Sequence, residues 1–316
     1  MLAIETEGLT KDYLVGFWRP RPYRALDQLN LQVAPGEVFG FLGPNGAGKS
    51  TTIKLLMQLI FPTSGHARIF GRPPGDLDVK RRLGFLPENP SFYDYLTAEE
   101  LLDYFGRLFG MPAPDRKARI AEVLDEVGIG KERRLRLRSY SKGMVQRVGI
   151  AQAILNRPEI VFFDEPMSGL DPLGRRDVRQ LMLGLRDRGC TVFFSSHILS
   201  DAETLCSQVG IVAQGRLVAG GRLSELLAFE TKGWELVVDR VSEPVLAALR
   251  TRARTLVALD GGRYTVELPP DPPDAMLREL AAAGAQVLSL NPVRDTLESF
   301  FVQHVAASAA RDTASL

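Results

Sequence analysis

Short apolar runs punctuated by polar turns open the chain. Residues 3–9 and 29–33 alternate as strands do, and a Pro35-Gly36 turn leads into the apolar run Val38-Phe39-Gly40-Phe41-Leu42. Residues 13–24 are aromatic, basic and broken by Pro20 and Pro22, which predicts an exposed loop with a contact role. An apolar-periodic helix is expected over 52–57, then a turn at 63–65 and short strands over 66–71 and 83–86. His66, within one of these strands, reads as an ordinary surface residue. From Thr97 the spacing becomes helical, with Leu101, Leu102, Phe105, Leu108 and Phe109 recurring on one side. Further helices are expected over 116–127, ending at Gly128, and over 143–155.

The next segment changes character again. Ile160-Val161-Phe162-Phe163 and Thr191-Val192-Phe193-Phe194 are continuous apolar runs, as strands buried on both faces should be. A helix over 174–188 separates them, and a helix over 198–208 leads to a strand over 209–213. This alternation specifies an α/β fold with a parallel sheet. Residues 91–157 then form a helical insertion into it.

Beyond about residue 230 the order becomes strand (234–239), helix (245–250), two strands (255–259 and 264–268), helix (275–283) and strand (286–290), a ferredoxin-like sequence of elements. Gly261-Gly262 marks a hairpin between the middle strands. A last helix is expected over 296–305. The predicted organisation is one domain over 1–230, a small α+β domain over 231–305, and a disordered tail of small and polar residues over 306–316.

Composition excludes more than it selects. The 316 residues are 45% apolar and 24% charged with a net charge of +1, so no global basic field argues for nucleic acid. No apolar run reaches the ~18–20 residues needed to span a bilayer. The first residues carry no signal-peptide pattern, so a cytosolic polypeptide is expected. Cys190 and Cys206 have no metal-ligand spacing and read as reduced core residues, the first at a strand start and the second within a helix.

The stretch between the strand at 38–42 and the helix that follows carries the chemistry. Gly43-Pro44-Asn45-Gly46-Ala47-Gly48-Lys49-Ser50-Thr51 fills the pattern G-x-x-x-x-G-K-[ST] in the strand–loop–helix context that gives it meaning. Glycines let successive N–H groups face one anion, and the helix aims its positive end there. Lys49 supplies a cation for the terminal phosphates of a triphosphate and Ser50 a hydroxyl for Mg²⁺. At the end of the buried strand 160–163, Asp164 can complete the Mg²⁺ shell and Glu165 can act as general base toward water.

These residues, with Tyr140-Ser141-Lys142-Gly143-Met144-Val145-Gln146-Arg147, resemble the ATP-binding subunits of ABC transporters over residues 1–225. That segment stands where the family carries L-S-G-G-Q-x-Q-R; Ser141, Gly143, Gln146 and Arg147 agree, whereas Tyr140, Lys142 and Met144 depart. The resemblance implies a P-loop NTPase core with an antiparallel β subdomain and an inserted helical subdomain. It implies ATP and Mg²⁺ as cofactors, and ATPase activity with Glu165, His197 and Lys49 as catalytic groups. Neutral His197 would donate to the γ-phosphate. Ser141 and Gly143 would cap that phosphate on ATP held by another copy. Asp171 within Ser168-Gly169-Leu170-Asp171 resembles the D-loop, and Tyr13 the aromatic that stacks on adenine, with Phe17, Trp18 and Tyr23 as weaker candidates. Glu88 stands where many members place a glutamine that touches Mg²⁺.

Leu86-Pro87-Glu88 and Asp295-Thr296-Leu297-Glu298-Ser299-Phe300-Phe301 resemble the branch of single-cassette drug, lipid and polysaccharide exporters. The expected partners are a polytopic membrane permease subunit and a second ATPase subunit in a homodimer, with no nucleic acid. The expected location is the cytoplasmic face of a bacterial inner membrane, held peripherally. An importer subunit stays open, because a cassette does not encode direction. So does a soluble ABC ATPase acting on ribosomes or DNA, although its usual second cassette or coiled-coil insertion is missing. The small domain is read as a dimerisation or regulatory module.

Overall fold

A computed structural model describes residues 1–16, 18–227, 231–293 and 296–301, and its contacts divide the chain into two units that meet near residue 227. Phe17, Asp295 and the expected tail over 306–316 lie outside the described residues, as does the end of the last expected helix; residues 297–301 are helical.

The first unit begins with a long hairpin, β1 (Ile4–Val15) and β2 (Arg21–Val33), followed by β3 (Val38–Leu42) and α1 (Lys49–Leu56). The aromatic stretch over 13–24 is therefore not a loop: Tyr13 pairs with Tyr23, Leu14 with Pro22 and Val15 with Arg21, so only the tip lies between strands. The solvent-facing polar residues conceal the strand pattern, and Pro22 is tolerated because it sits at the start of an edge strand, next to the turn of the hairpin. Next come β4 (Ser64–Ile69), the short α2 (Leu77–Arg81) and β5 (Leu83–Leu86). β4 joins the hairpin in a three-stranded antiparallel sheet of order β2-β1-β4. His66 is exposed there, its Nε2 3.3 Å from Glu7 across the strands.

A helical insert follows: α3 (Ala98–Leu108), α4 (Ala113–Glu126) and α5 (Lys142–Ile154). Thr97 and Glu100 form a reciprocal capping box at the start of α3, each satisfying the other's backbone N–H. The chain then returns through β6 (Ile160–Phe163), α6 (Pro172–Asp187), β7 (Thr191–Ser196), α7 (Leu199–Leu205), β8 (Gln208–Ala213), β9 (Arg216–Arg222) and the one-turn α8 (Leu223–Leu226). The sheet order is β5-β6-β7-β3-β8-β9, parallel except for β9. α7 is shorter than the spacing predicts. Cys206 leaves the helix in an extended conformation, because Gln208 must already pair with Phe39 of β3.

Phe39, Phe41, Phe162 and Phe193 are fully or almost fully buried, and the first three hold their rings 5.4–5.5 Å from that of Phe193. Such aromatic pairs contribute about 0.5–1.5 kcal/mol each beyond the area they bury. They lock β3, β6 and β7 side by side. Cys190 and Cys206 are buried thiols, and burial pushes Cys190 up to about 12.

The second unit holds β10 (Gly233–Asp239), α9 (Glu243–Arg252), β11 (Thr255–Leu259), β12 (Arg263–Leu268), α10 (Asp274–Ala282) and β13 (Gln286–Val293). Its antiparallel sheet runs β11-β12-β10-β13, the ferredoxin-like order, over a core that includes Leu236, Val238, Leu249, Val266 and Leu280. Gly261 and Gly262 both take positive φ, which the tight turn between β11 and β12 requires.

Candidate functional site

Strand order assembles the site. β3, β6 and β7 are parallel and in step, with Leu42 opposite Ser196 and Phe163 opposite Phe194, so their C-terminal ends open at one edge. Ligand sites of open parallel sheets lie at that edge. The loop after β3, the carboxylates after β6 and the histidine after β7 all emerge there.

The loop is held in place by close packing. Gly48 has φ +104, and a Cβ on it would come within 2.5 Å of the Ala25 carbonyl of β2. A side chain on Gly43 would collide with the Val212 carbonyl of β8. Gly215 N–H donates to the Ala47 carbonyl at 3.1 Å, and Asp27 N–H donates to the Gly215 carbonyl at 2.8 Å, tying loop to hairpin. Lys49 is 6% exposed and its ammonium donates to the carbonyls of Gly43 at 2.7 Å and Pro44 at 3.2 Å.

Glu165 sits at the centre. It is 7% exposed, and its Oε1 lies 3.2 Å from Lys49 Nζ without a directed hydrogen bond. Its Oε2 lies 2.8 Å from Nδ1 of His197. The backbone of Glu165 is left-handed at φ +51, a strain of about 1–3 kcal/mol for a residue with a Cβ. That conformation is pinned by Ser195, whose Oγ accepts Glu165 N–H at 2.9 Å and donates to Asp164 Oδ1 at 2.7 Å. Ser195 is the functional residue that the sequence does not disclose. Nothing in a Ser-Ser pair at a strand end identifies it; its position opposite the β6 terminus does.

Ser50 Oγ donates to Asp164 Oδ1 at 3.1 Å. Two hard oxygens at this spacing suit Mg²⁺, which takes few protein ligands and completes its octahedron with phosphate oxygens and water. The glycine cradle and the Lys49 ammonium fit a triphosphate equally well.

A cavity of about 360 Å³ joins these parts, lined by Tyr13, Tyr23, Ala25, Pro44, Asn45, Gly46, Gly48, Lys49, Ser50, Thr51, Glu88 and Glu165. Tyr13 and Tyr23 face it from neighbouring strands, and Lys11 Nζ stands 5.2 Å from the Tyr13 ring centroid. Trp18 is 90% exposed at the hairpin tip and does not line the cavity. Glu88 is exposed at the rim and, among the described residues, forms no ion pair.

Ser141, Gly143 and Asp171 are brought together with one another but not with the loop. They line a second cavity of about 510 Å³ with Gly169, Leu170 and Arg147. Ser141 and Asp171 are also helix caps, accepting from Met144 N–H at 3.3 Å and Gly174 N–H at 2.9 Å. Gln146 is buried, and its amide donates to the Pro166 carbonyl at 3.1 Å, fixing α5 to the segment after Glu165.

A family model described as ABC transporter matches residues 26–168. An uncharacterized ABC transporter ATP-binding protein of Synechocystis sp. is 42% identical over 305 residues, 96% of this chain and 84% of that protein. A bacitracin transport ATP-binding protein of Bacillus licheniformis is 43% identical over 68% of each chain. Among solved structures, the dimeric post-hydrolysis state of the ATP-binding cassette MJ0796 bound to ADP and Pi aligns with a TM-score of 0.64 and 27% identity. That alignment covers 70% of this chain and 98% of the other.

Proposed function

From a chain that belongs to the ATP-binding proteins of ABC transporters, we propose an ATP-hydrolysing subunit of an exporter, working as a homodimer that powers separate membrane subunits. The observation that carries this reading is Glu165, buried between Lys49 and His197 at the mouth of the phosphate loop. Glu165 takes the proton of the attacking water, Lys49 and the loop amides hold the β- and γ-phosphates, and Ser50 and Asp164 hold Mg²⁺. Mg²⁺, when bound, neutralises charge on the phosphates.

Two copies pair head to tail, so that the surface formed by Ser141, Gly143 and Asp171 in one closes over the triphosphate in the other. The separation of these residues from the loop within one chain supports that arrangement, as does the similarity to a dimeric cassette. The exporter branch is supported by Leu86-Pro87-Glu88 and by the similarity to a bacitracin transport protein. The membrane partner docks on the helical insert, which places the subunit at the cytoplasmic face of the membrane; no helix among the described residues is long and apolar enough to cross one. The second unit serves dimerisation or regulation.

Glu165→Gln tests the reading. The variant is expected to bind ATP and form a dimer in its presence while steady-state ATPase falls by about 10²–10⁴-fold, the contribution of a general base. ATPase equal to that of the unaltered chain sinks the assignment. For direction, the chain and its membrane partner in inside-out vesicles should accumulate substrate with ATP; ATP-driven transport in the opposite sense identifies an importer.

A further inference from the structure

The two edges of the sheet in the second unit are unlike. β13 is guarded: Pro292 removes a backbone donor, and the register against β10 shifts between Val237 and Val238. Edge strands are ordinarily blunted by such devices or by a lysine. β11, Thr255-Leu256-Val257-Ala258-Leu259, has none of them. It holds no charge, proline or glycine, runs against β12 in unbroken register, and pairs with no other strand among the described residues. Val257 is 50% exposed and Leu259 45%. An uncharged edge with a bare row of N–H and C=O groups is a template for another strand.

The flanking residues select that strand. Arg254 precedes β11 and Asp260 follows it; both are exposed, and neither forms an ion pair among the described residues. Arg254 donates from Nη1 to the Lys232 carbonyl at 3.0 Å, which leaves its charge unmet, whereas Arg263 is met by Asp239 and Arg252 by Glu279. Laid antiparallel on a second copy of itself about Val257, the strand sets Arg254 opposite Asp260, Thr255 opposite Leu259 and Leu256 opposite Ala258. Twofold symmetry makes each of these contacts twice. Alternation puts the two charges on one face and Val257, against its own counterpart, on the other. A parallel arrangement in the same register would set like charges together, which is destabilising.

We propose that β11 is a self-complementary interface: in two copies of the chain these strands pair antiparallel about Val257, join the two sheets into one, and set Arg254 of each copy against Asp260 of the other. The inference rests on the dimerisation role given to the second unit under Proposed function and names the surface that performs it. No nucleotide takes part in this contact, so it holds two subunits together whatever the phosphate loop contains.

The experiment uses the full chain without nucleotide, its association followed by sedimentation equilibrium across protein concentration. The unaltered chain is expected to dimerise. Arg254→Asp and Asp260→Arg each turn two attractive contacts into two repulsive ones, and each should raise the dissociation constant by about tenfold. The two changes together only exchange partners and should restore it, which separates lost pairing from lost folding. Register is tested by oxidation. Val257→Cys faces its own counterpart within the ~4.4–6.8 Å Cα span of a disulfide and should cross-link two copies. Thr255→Cys stands about 13 Å from its counterpart and should not. Cys190 and Cys206 are buried and add little background. A chain that stays monomeric, single reversals that leave the constant unchanged, or cross-linking at Thr255→Cys in place of Val257→Cys overturns the proposal. ATP-dependent pairing of Glu165→Gln is measured separately; if it persists where β11 fails these tests, the inference falls and the cassette reading stands.

Discussion

His197 Nδ1 lies 2.8 Å from Oε2 of Glu165, so the histidine holds the carboxylate directly. A carboxylate only accepts, which puts the proton on Nδ1 and leaves Nε2 of a neutral ring as an acceptor. Donation to a phosphate from Nε2 while Nδ1 keeps Glu165 therefore needs the charged ring. His197→Ala should lower turnover by about 10²-fold, the cost of misplacing a reacting group by about 1 Å, with ATP affinity little changed. Steady-state ATPase and equilibrium nucleotide binding on the same preparation measure both; a loss of affinity without a loss of turnover contradicts the positioning role.

Tyr13 and Tyr23 are cross-strand partners and both line the nucleotide cavity. Stacking on a base contributes about 1–3 kcal/mol per aromatic ring by alanine substitution. Tyr13→Ala and Tyr23→Ala should each weaken ATP binding, and the double variant by less than the product, because the rings support one surface. Dissociation constants for the cycle decide it. An unaffected constant for Tyr23→Ala would confine the platform to Tyr13.

Asp201 of α7 is a buried carboxyl with Oδ2 unpartnered and Oδ1 3.7 Å from Arg179. Burial raises its pKa above 3.8, opposed by Arg179 and Arg175; Glu165 adds to the rise and His197 lowers it. A raised carboxyl favours folding fully below its unfolded value, and this contribution is lost as pH rises through the folded value. Asp201→Asn should therefore gain stability relative to the unaltered chain as pH climbs from about 4 toward neutrality. Denaturant midpoints across that range are the measurement, and a difference that shrinks with pH would reverse the assignment.

Gly43–Thr51, the Asp164-Glu165 pair and His197 were legible because each follows an apolar run whose end a parallel sheet must expose. The hairpin over 13–24 was not: its exposed positions are aromatic and basic and Pro20 and Pro22 interrupt them, so neither alternation nor turn signals mark it. β9 carries Gly220 and Gly221 and half-exposed residues, which hide a strand added antiparallel to the sheet edge. Ser141 and Asp171 have local roles as caps that the motif alone does not reveal. Ser195 depends wholly on strand register, which is a property of the sheet and not of any segment.

Ala25 touches the pivot of the phosphate loop through its carbonyl, two residues along the same strand from Tyr23. Base platform and phosphate cradle are thus marks on one rigid gauge. A nucleotide laid along it is measured from ring to terminal phosphate against a fixed length, so the sensing of one phosphate more or less must fall to the parts that the gauge does not carry. Those parts are the carboxylate after β6, the histidine after β7 and the helical insert tied to them by Gln146.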